Sequence, residues 1–233
     1  MQRKIAIAID GPAGSGKSTV AKLLASNLHY LYIDTGAMYR ALTLKSFRRN
    51  ISLADLDALS ALAETTDIRL INRPGSGTCA VQVLLDGEDV SEPIRSLEVT
   101  DKVSQVAAVP GVRKALIRLQ RHMAENISVV MDGRDIGTVV LPQADLKVFL
   151  TASPEERGKR RWMELTEKGI VCDLAEQTEQ IRQRDYLDTH REIDPLRQAA
   201  DAVLIDTTGL SVAEVIARIQ SLAVEKGAVI AGS

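Results

Sequence analysis

The chain has 233 residues, 45% hydrophobic and 26% charged, which fits one soluble globular domain with room for a single sizeable insertion. Its formal net charge of −2 removes any general attraction to a nucleic acid polymer or an anionic membrane, so a substrate anion has to be met locally. Two isolated cysteines, Cys79 and Cys172, exclude a disulfide framework or a zinc site. With no signal-peptide core in residues 1–9 and no apolar run near the ~20 residues of a membrane span, a cytoplasmic setting is expected.

Residues 5–9 form an apolar run ending at Asp10-Gly11-Pro12, the pattern of a strand buried on both faces of a parallel sheet. A helix follows from Ser18 and Thr19, because Val20, Leu24 and Leu28 recur at i, i+4 and i+8. A second strand is predicted over 30–33, ending in Asp34-Thr35-Gly36, and helices over about 37–49 and 53–64. Between about 67 and 92 the texture changes. Apolar, β-branched runs at 68–71 and 80–85, separated by Pro74-Gly75-Ser76-Gly77 and followed by Asp86-Gly87, predict a small antiparallel insertion.

Helices over about 96–108 and 112–126 are divided by Pro110-Gly111, and strands follow at 127–131 and 146–150. Helices at about 154–168 and 174–191, a strand at 202–205 and an amphipathic helix at 211–225 complete the chain. Strands alternating with helices predict an α/β domain around a central parallel sheet. There is no internal repeat and no linker long enough to separate independent domains.

Gly11-Pro12-Ala13-Gly14-Ser15-Gly16-Lys17-Ser18 matches G-x-x-x-x-G-K-[ST] in the required place between a buried strand and a helix. The glycines let backbone N–H groups converge on a phosphate beside the positive end of the helix, which continues through Thr19. Lys17 suits the β- and γ-phosphates and Ser18 offers a hydroxyl to Mg²⁺, so ATP with magnesium is the implied phosphoryl donor. No Asn-Lys-x-Asp segment for reading guanine is present.

A kinase whose acceptor also carries phosphate needs further cations. Arg40, one helical turn after Asp34, and Arg134, just beyond the strand ending near Asp132, lie where α/β sites form. Arg157, Arg160 and Arg161 share a helix face, either as a helix salt-bridged to Glu155, Glu156 and Glu164 or as a phosphate-closing lid over 157–172. Arg184, Asp188 and Arg191 form one stripe, which a surface ion-pair ladder would also explain. Asp34 and Asp132 are candidates to orient magnesium-bound water or, alternatively, to cap turns.

Five segments together carry a resemblance. They are Ile9-Asp10-Gly11-Pro12 with the loop, residues 34–40 (DTGAMYR), 104–108 (SQVAA), 132–140 (DGRDIGTVV), and Arg184-Asp185 with Asp188 and Arg191. Taken over essentially the whole chain, these resemble the bacterial cytidylate kinases. The resemblance implies a P-loop kinase with a central parallel sheet flanked by helices, a small antiparallel insertion in an acceptor-binding lobe, and a short helical lid. Its core would take about 1–34, 127–152 and 192–233, the acceptor lobe 35–126 and the lid 153–172, leading into the helix at 174–191.

The resemblance further implies transfer of the γ-phosphoryl group of Mg-ATP to CMP or dCMP. It assigns the acceptor phosphate to Arg40, Arg134 and Arg191, the ribose to Arg184 and Asp188, and the base to Ser104, Arg113 and Asp135. Thr35 stands where many relatives have serine and keeps the hydroxyl. Cytosine offers an amino donor at N4 to a carboxylate, whereas uracil presents O4, so CMP and dCMP should be preferred over UMP. His29, His122 and His190 lack metal-ligand spacing, Trp162 is expected to pack, and a monomer is expected on fold analogy.

Overall fold

The structure, a computed structural model, describes residues 3–73 and 80–229. In chain order the elements are β1 (Ala6–Asp10), α1 (Lys17–Leu28), β2 (Leu31–Asp34), α2 (Thr35–Arg48), α3 (Leu56–Glu64), β3 (Ile68–Arg73), β4 (Ala80–Leu85) and β5 (Glu88–Asp89). There follow a short 3-10 turn (Pro93–Arg95), α4 (Leu97–Ala107), α5 (Pro110–Ala124), β6 (Val129–Gly133), a π-helical turn (Ile136–Val140), β7 (Leu146–Thr151), α6 (Pro154–Glu167), α7 (Leu174–His190), β8 (Val203–Asp206) and α8 (Val212–Glu225).

Five strands pair in parallel in the order β2-β6-β1-β7-β8, and β3, β4 and β5 form the antiparallel insertion. The sheet is covered on both sides, which is why its strands read as apolar runs. Along β1, Ile7 and Ile9 face one core with Leu24 and Leu28 of α1 and Ile216 and Ile219 of α8, while Ala8 faces the other core with Met38, Leu42, Leu59 and Leu116. Val129 and Met131 against Val130 in β6, and Ile33 against Tyr32 in β2, divide in the same way. This is the period-two alternation of a strand.

Parallel pairing brings the carboxyl ends of the strands to one edge, where α/β sites lie. Asp10 is opposite Gly133 and Asp34 opposite Asp132, so three segments of the recognised pattern meet in one place. Two elements differ from expectation. Pro110 does not divide the helices but is the first residue of α5, where its missing N–H leaves no bond unmade. The π-helical turn has no periodic signature, and its cause lies elsewhere in the chain. The Pro74–Gly77 turn and Cys79 lie outside the described residues.

Helix α6 is started by Ser153, whose Oγ accepts from Glu156 N at 3.2 Å, with Pro154 at its first position. It packs on α7 through Gly158, where a Cβ would lie 2.2 Å from Thr178 Oγ1 and 2.9 Å from Thr178 Cα. Gly158→Ala should therefore force the two helices apart and cost about 1–3 kcal/mol, read as a lower urea midpoint with an unchanged slope. An unchanged midpoint would show that this contact yields freely.

Candidate active site

The loop between β1 and α1 is shaped by glycine, by close contact at one position and by backbone conformation at another. A Cβ on Gly11 would lie 2.0 Å from the carbonyl oxygen of Leu150, and Gly16, at φ 85°, ends the loop in the left-handed region. Gly16 is also the N-cap of α1 and supplies no side-chain acceptor, so the first N–H groups of that helix have no capping partner. Those donors, with the helix dipole behind them, suit a phosphate. Lys17 is buried and donates to Pro12 O at 2.9 Å; burial and then Arg134 push its pKa well below the ordinary lysine value, with Asp132 pulling it back.

Asp132, at the end of β6, accepts from Ser18 Oγ and from Tyr32 Oη, both at 2.7 Å. Burial and the neighbouring Asp34 push its carboxyl above the usual range. Asp34 has a different position: its Oδ1 caps α2 by accepting from Ala37 N at 2.8 Å, and Arg40 approaches Oδ2 at 3.2 Å. Burial opposes its charge, but Arg40 and the Ala37 N–H prevail and hold the carboxyl below its ordinary value. Asp34 thus caps α2 while still lining the same cavity as Asp132. Asp132 and Ser18 present hard oxygens together, a donor pair that fits Mg²⁺ completed by phosphate and water. Among the described residues no group of three or more His, Cys, Asp or Glu could hold a metal by itself.

Across the cleft stand the arginines. Arg40, Arg134, Arg184 and Arg191, with Asp188, Asp135, Ser104 and Thr35, line one cavity of about 940 Å³ with the phosphate loop. Arg134 donates to Asp188 Oδ2 at 2.8 Å, and Ser104 Oγ reaches Asp188 Oδ1 at 3.5 Å. Arg134 and Arg184 outweigh burial and hold Asp188 below the ordinary carboxylate value. Arg184 is pushed down to about 10 by burial and by Arg134, and burial with Arg113 lowers Arg191. Nε of Arg40, Nε of Arg184 and Nη2 of Arg191 are buried with no hydrogen-bond partner among the described residues. Arg40 and Arg191 are ion-paired with Asp34 and Asp135 while Arg184 has no carboxylate bonded to it among the described residues, and the excess of guanidinium along this wall of the cavity suits anionic oxygens. The stripe on α7 is thus a cleft wall and not a surface ladder.

Three expected residues have less direct positions. Thr35 Oγ1 donates to Asp132 O at 2.7 Å, so its hydroxyl ties β6 to α2. Arg113, only 2% exposed, stands behind Asp135: its Nη2 pairs with Asp135 Oδ2, its Nε donates to Asp194 at 2.9 Å and its Nη1 to Ala107 O at 3.3 Å. Arg191 approaches the other oxygen of Asp135 at 3.6 Å. Burial still pushes the Asp135 carboxyl up, against Arg113 and Arg191.

Arg157 departs most from expectation. It is not a free lid arginine but is 3% exposed beneath the loop, donating to Ala152 O at 2.8 Å and Ala13 O at 3.0 Å and pairing with Asp185 at 2.7 Å. A buried guanidinium requires such partners, and these come from three separate segments. Arg160 and Arg161 do line the cleft. Arg160 bonds Thr207 through Oγ1 at 3.0 Å and O at 2.8 Å as well as Glu156, and Arg161 pairs with Glu164 at 2.9 Å.

Several cleft residues were not singled out from sequence. Lys22 and Arg95 add cations, and Leu210, Val212 and Val215 form an apolar stretch beside the loop. The only signal for the second group was the position of Thr207 just after a strand. Trp162 packs as expected, with its Nε1 donating to Cys172 O at 3.1 Å. The histidines take no part in the cleft: His190 stacks on Tyr186 with ring centroids 4.1 Å apart, His122 approaches Glu125 and His29 ends α1.

The family model described as Cytidylate kinase matches residues 7–225. A cytidylate kinase of Desulfitobacterium hafniense is 51% identical over 222 residues, covering 95% of this chain and 94% of the relative. One of Bacillus velezensis is 49% identical over 226 residues, covering 97% and 99%. Among solved structures, an uncharacterized protein from Eubacterium ventriosum shares the fold with a TM-score of 0.53 at 14% identity, over 96% of this chain and 99% of the other.

Tyr32→Phe removes one of the two hydroxyl donors to the buried Asp132 and leaves an oxygen without a partner. The variant should lose about 1–3 kcal/mol of stability at pH 7 by denaturant unfolding. A loss under about 0.5 kcal/mol would mean that water replaces the phenol there.

Proposed function

This chain belongs to the cytidylate kinase family, and from that premise we propose the parts its residues take in moving the γ-phosphoryl group of ATP to CMP or dCMP. The reaction yields ADP with CDP or dCDP. The observation that carries the assignment of residues is one cavity with a phosphate loop on one side and four arginines on the other.

The donor phosphates take backbone N–H groups of the loop between Gly11 and Gly16 and of the uncapped first turn of α1 through Thr19, with Lys17 at the β- and γ-phosphates. Ser18 and Asp132 would hold Mg²⁺, which when bound offsets charge on the β- and γ-phosphate oxygens. The apolar stretch of Leu210, Val212 and Val215 suits the flat face of the donor base.

The acceptor phosphate is held by Arg40, Arg134 and Arg191, and the ribose hydroxyls by Arg184 and Asp188. Asp135 accepts from cytosine N4, Ser104 contributes from the same cavity, and Arg113 orients Asp135 and favours its charged form against burial. A contact of Arg113 with the N3 and O2 side of the base would require its guanidinium, buried behind Asp135, to come forward to the cavity wall. Uracil would turn O4 toward the carboxylate, a mismatch that polar sites reject strongly.

An oxygen of the acceptor phosphate attacks the γ-phosphorus in line. A new O–P bond forms as the bond from γ-phosphorus to the bridging oxygen breaks, and ADP leaves with that electron pair. Lys17 and the lid arginines Arg160 and Arg161 stabilise the charge that spreads over the transferring group. Arg157 acts through the loop, holding the Ala13 carbonyl in place. Segment 153–172 closes over the phosphates and excludes water. On this reading the chain is a cytoplasmic monomer acting on free nucleotides. No described helix is long and apolar enough to cross a membrane.

Coupled ADP release from Mg-ATP with CMP, dCMP, UMP, AMP or GMP tests the reading. CMP and dCMP should exceed UMP by at least about tenfold in kcat/KM. Comparable UMP turnover would remove the role given to Asp135, and turnover stimulated by no monophosphate would remove the kinase reading. Arg184→Met should raise KM for CMP by about ten- to a hundredfold while moving KM for ATP less than about twofold. Equal effects on both would place Arg184 outside the acceptor subsite.

A further inference from the structure

Asp10, the last residue of β1, is buried, lies off the cleft wall and has no part in the steps above. Its carboxylate accepts two 2.7 Å hydrogen bonds from successive backbone amides, Ile136 N to Oδ1 and Gly137 N to Oδ2. Those amides open the π-helical turn Ile136–Val140, whose N-cap is Asp135. The N–H groups of Val139 and Val140 in turn both donate to the carbonyl of Asp135. A carboxylate taking two adjacent amides fixes the orientation of both peptide planes as well as their place. Asp10 is followed by Gly11 of the donor loop, and Ile136 is preceded by the residue that faces the base.

The arrangement is kept against a cost. Burial pushes the Asp10 carboxyl up to about 6 and the charge of Asp135 adds to this, while the Gly137 and Ile136 amides and Lys17 pull it back. An apolar residue, such as Ile7 or Ile9 earlier in the strand, would escape that penalty but would leave two buried amides without acceptors. The approach is also close. A Cβ on Gly137 would lie 3.1 Å from Lys147 Cδ and 3.3 Å from Asp10 Oδ2.

We propose that Asp10 is a positioning residue for cytosine discrimination, holding from the donor side of the sheet the backbone that presents Asp135 to the base. This rests on the reading of Asp135 as the carboxylate that meets cytosine N4. Asparagine keeps the shape but offers one accepting oxygen and an amide nitrogen that cannot accept. Asp10→Asn therefore releases one of the two N–H groups and lets Asp135 drift.

The test measures kcat and KM for CMP, UMP and ATP in the wild type, Asp10→Asn, Gly137→Ala and Asp135→Asn, each checked for folding by circular dichroism and melting. Asp10→Asn should lower the CMP-to-UMP ratio of kcat/KM by about tenfold, through a higher KM for CMP, and leave KM for ATP within about twofold. Asp135→Asn should lower the ratio further. If Asp135→Asn lowers it while folded Asp10→Asn keeps it within about twofold, or if Asp10→Asn raises KM for ATP and CMP equally, Asp10 is structural only and the proposal is overturned. If Asp135→Asn leaves the ratio unchanged, the reading of Asp135 fails and the proposal with it. Should Asp10→Asn not fold, Gly137→Ala, whose methyl presses on the same Oδ2, decides the matter with the same expected and overturning results.

Discussion

The cleft depends on positive charge that the chain buries without fully neutralising it. Lys17, Arg184 and Arg191 are each held below their ordinary pKa, first by burial and next by another cation. In a low-dielectric site, like charges repel far more strongly than in water, and neither a lysine nor a guanidinium would choose these surroundings unaided. Asp132 and Asp188 offset part of the repulsion, and nitrogens of Arg40, Arg184 and Arg191 are left with no hydrogen-bond partner. On the proposed reading, substrate oxygens complete these groups: acceptor phosphate at Arg40 and Arg191, ribose hydroxyls at Arg184 and donor phosphates at Lys17. On that reading Lys17, with Arg160 and Arg161, is already in place to stabilise the charge of the group in flight.

The surrounding structure can be understood as the framework that keeps those cations in place. Parallel strands bring the ends of β1, β2 and β6 side by side, and an aspartate at each end has its own task. Asp34 starts α2, Asp132 gathers Ser18 and Tyr32, and Asp10 reaches to the turn after Asp135. Arg157 links the loop to α7 by pairing Ala13 O with Asp185, one residue from Arg184. Donor and acceptor sides are therefore joined by short, buried polar contacts, and each is of the kind that costs most to leave half made.

Much of this was legible in the sequence because its signals are local. The apolar runs of β1, β6 and β7 mark a sheet covered on both faces, and the glycine spacing before Lys17 marks a loop built from backbone N–H groups. The shared face of Arg184 and Asp188 follows from helical period, whereas Arg191, expected on the same stripe, is the extended C-cap just past α7 and reaches the cleft from there. What escaped is non-local. Whether Arg157 is a free lid arginine or a clamp depends on Ala13, Ala152 and Asp185, one of them 144 residues away. The π-helical turn has no periodic signature, because it is held by Asp10 from 126 residues upstream. Tyr32 reads as a strand residue, and only the pairing of β2 with β6 shows its hydroxyl on Asp132.

If incompletely neutralised buried cations are the central feature of the site, the phosphate of the acceptor, and not its base and sugar, should supply most of the stabilisation on binding. Thermal unfolding of the protein with CMP and with cytidine at equal, millimolar concentration measures this directly, since a ligand that binds only the folded state raises the melting temperature. A clear rise with CMP that shrinks as salt is added, and little or none with cytidine, is the predicted result. Equal rises with both, insensitive to salt, would contradict it and show that the arginines are satisfied without the phosphate.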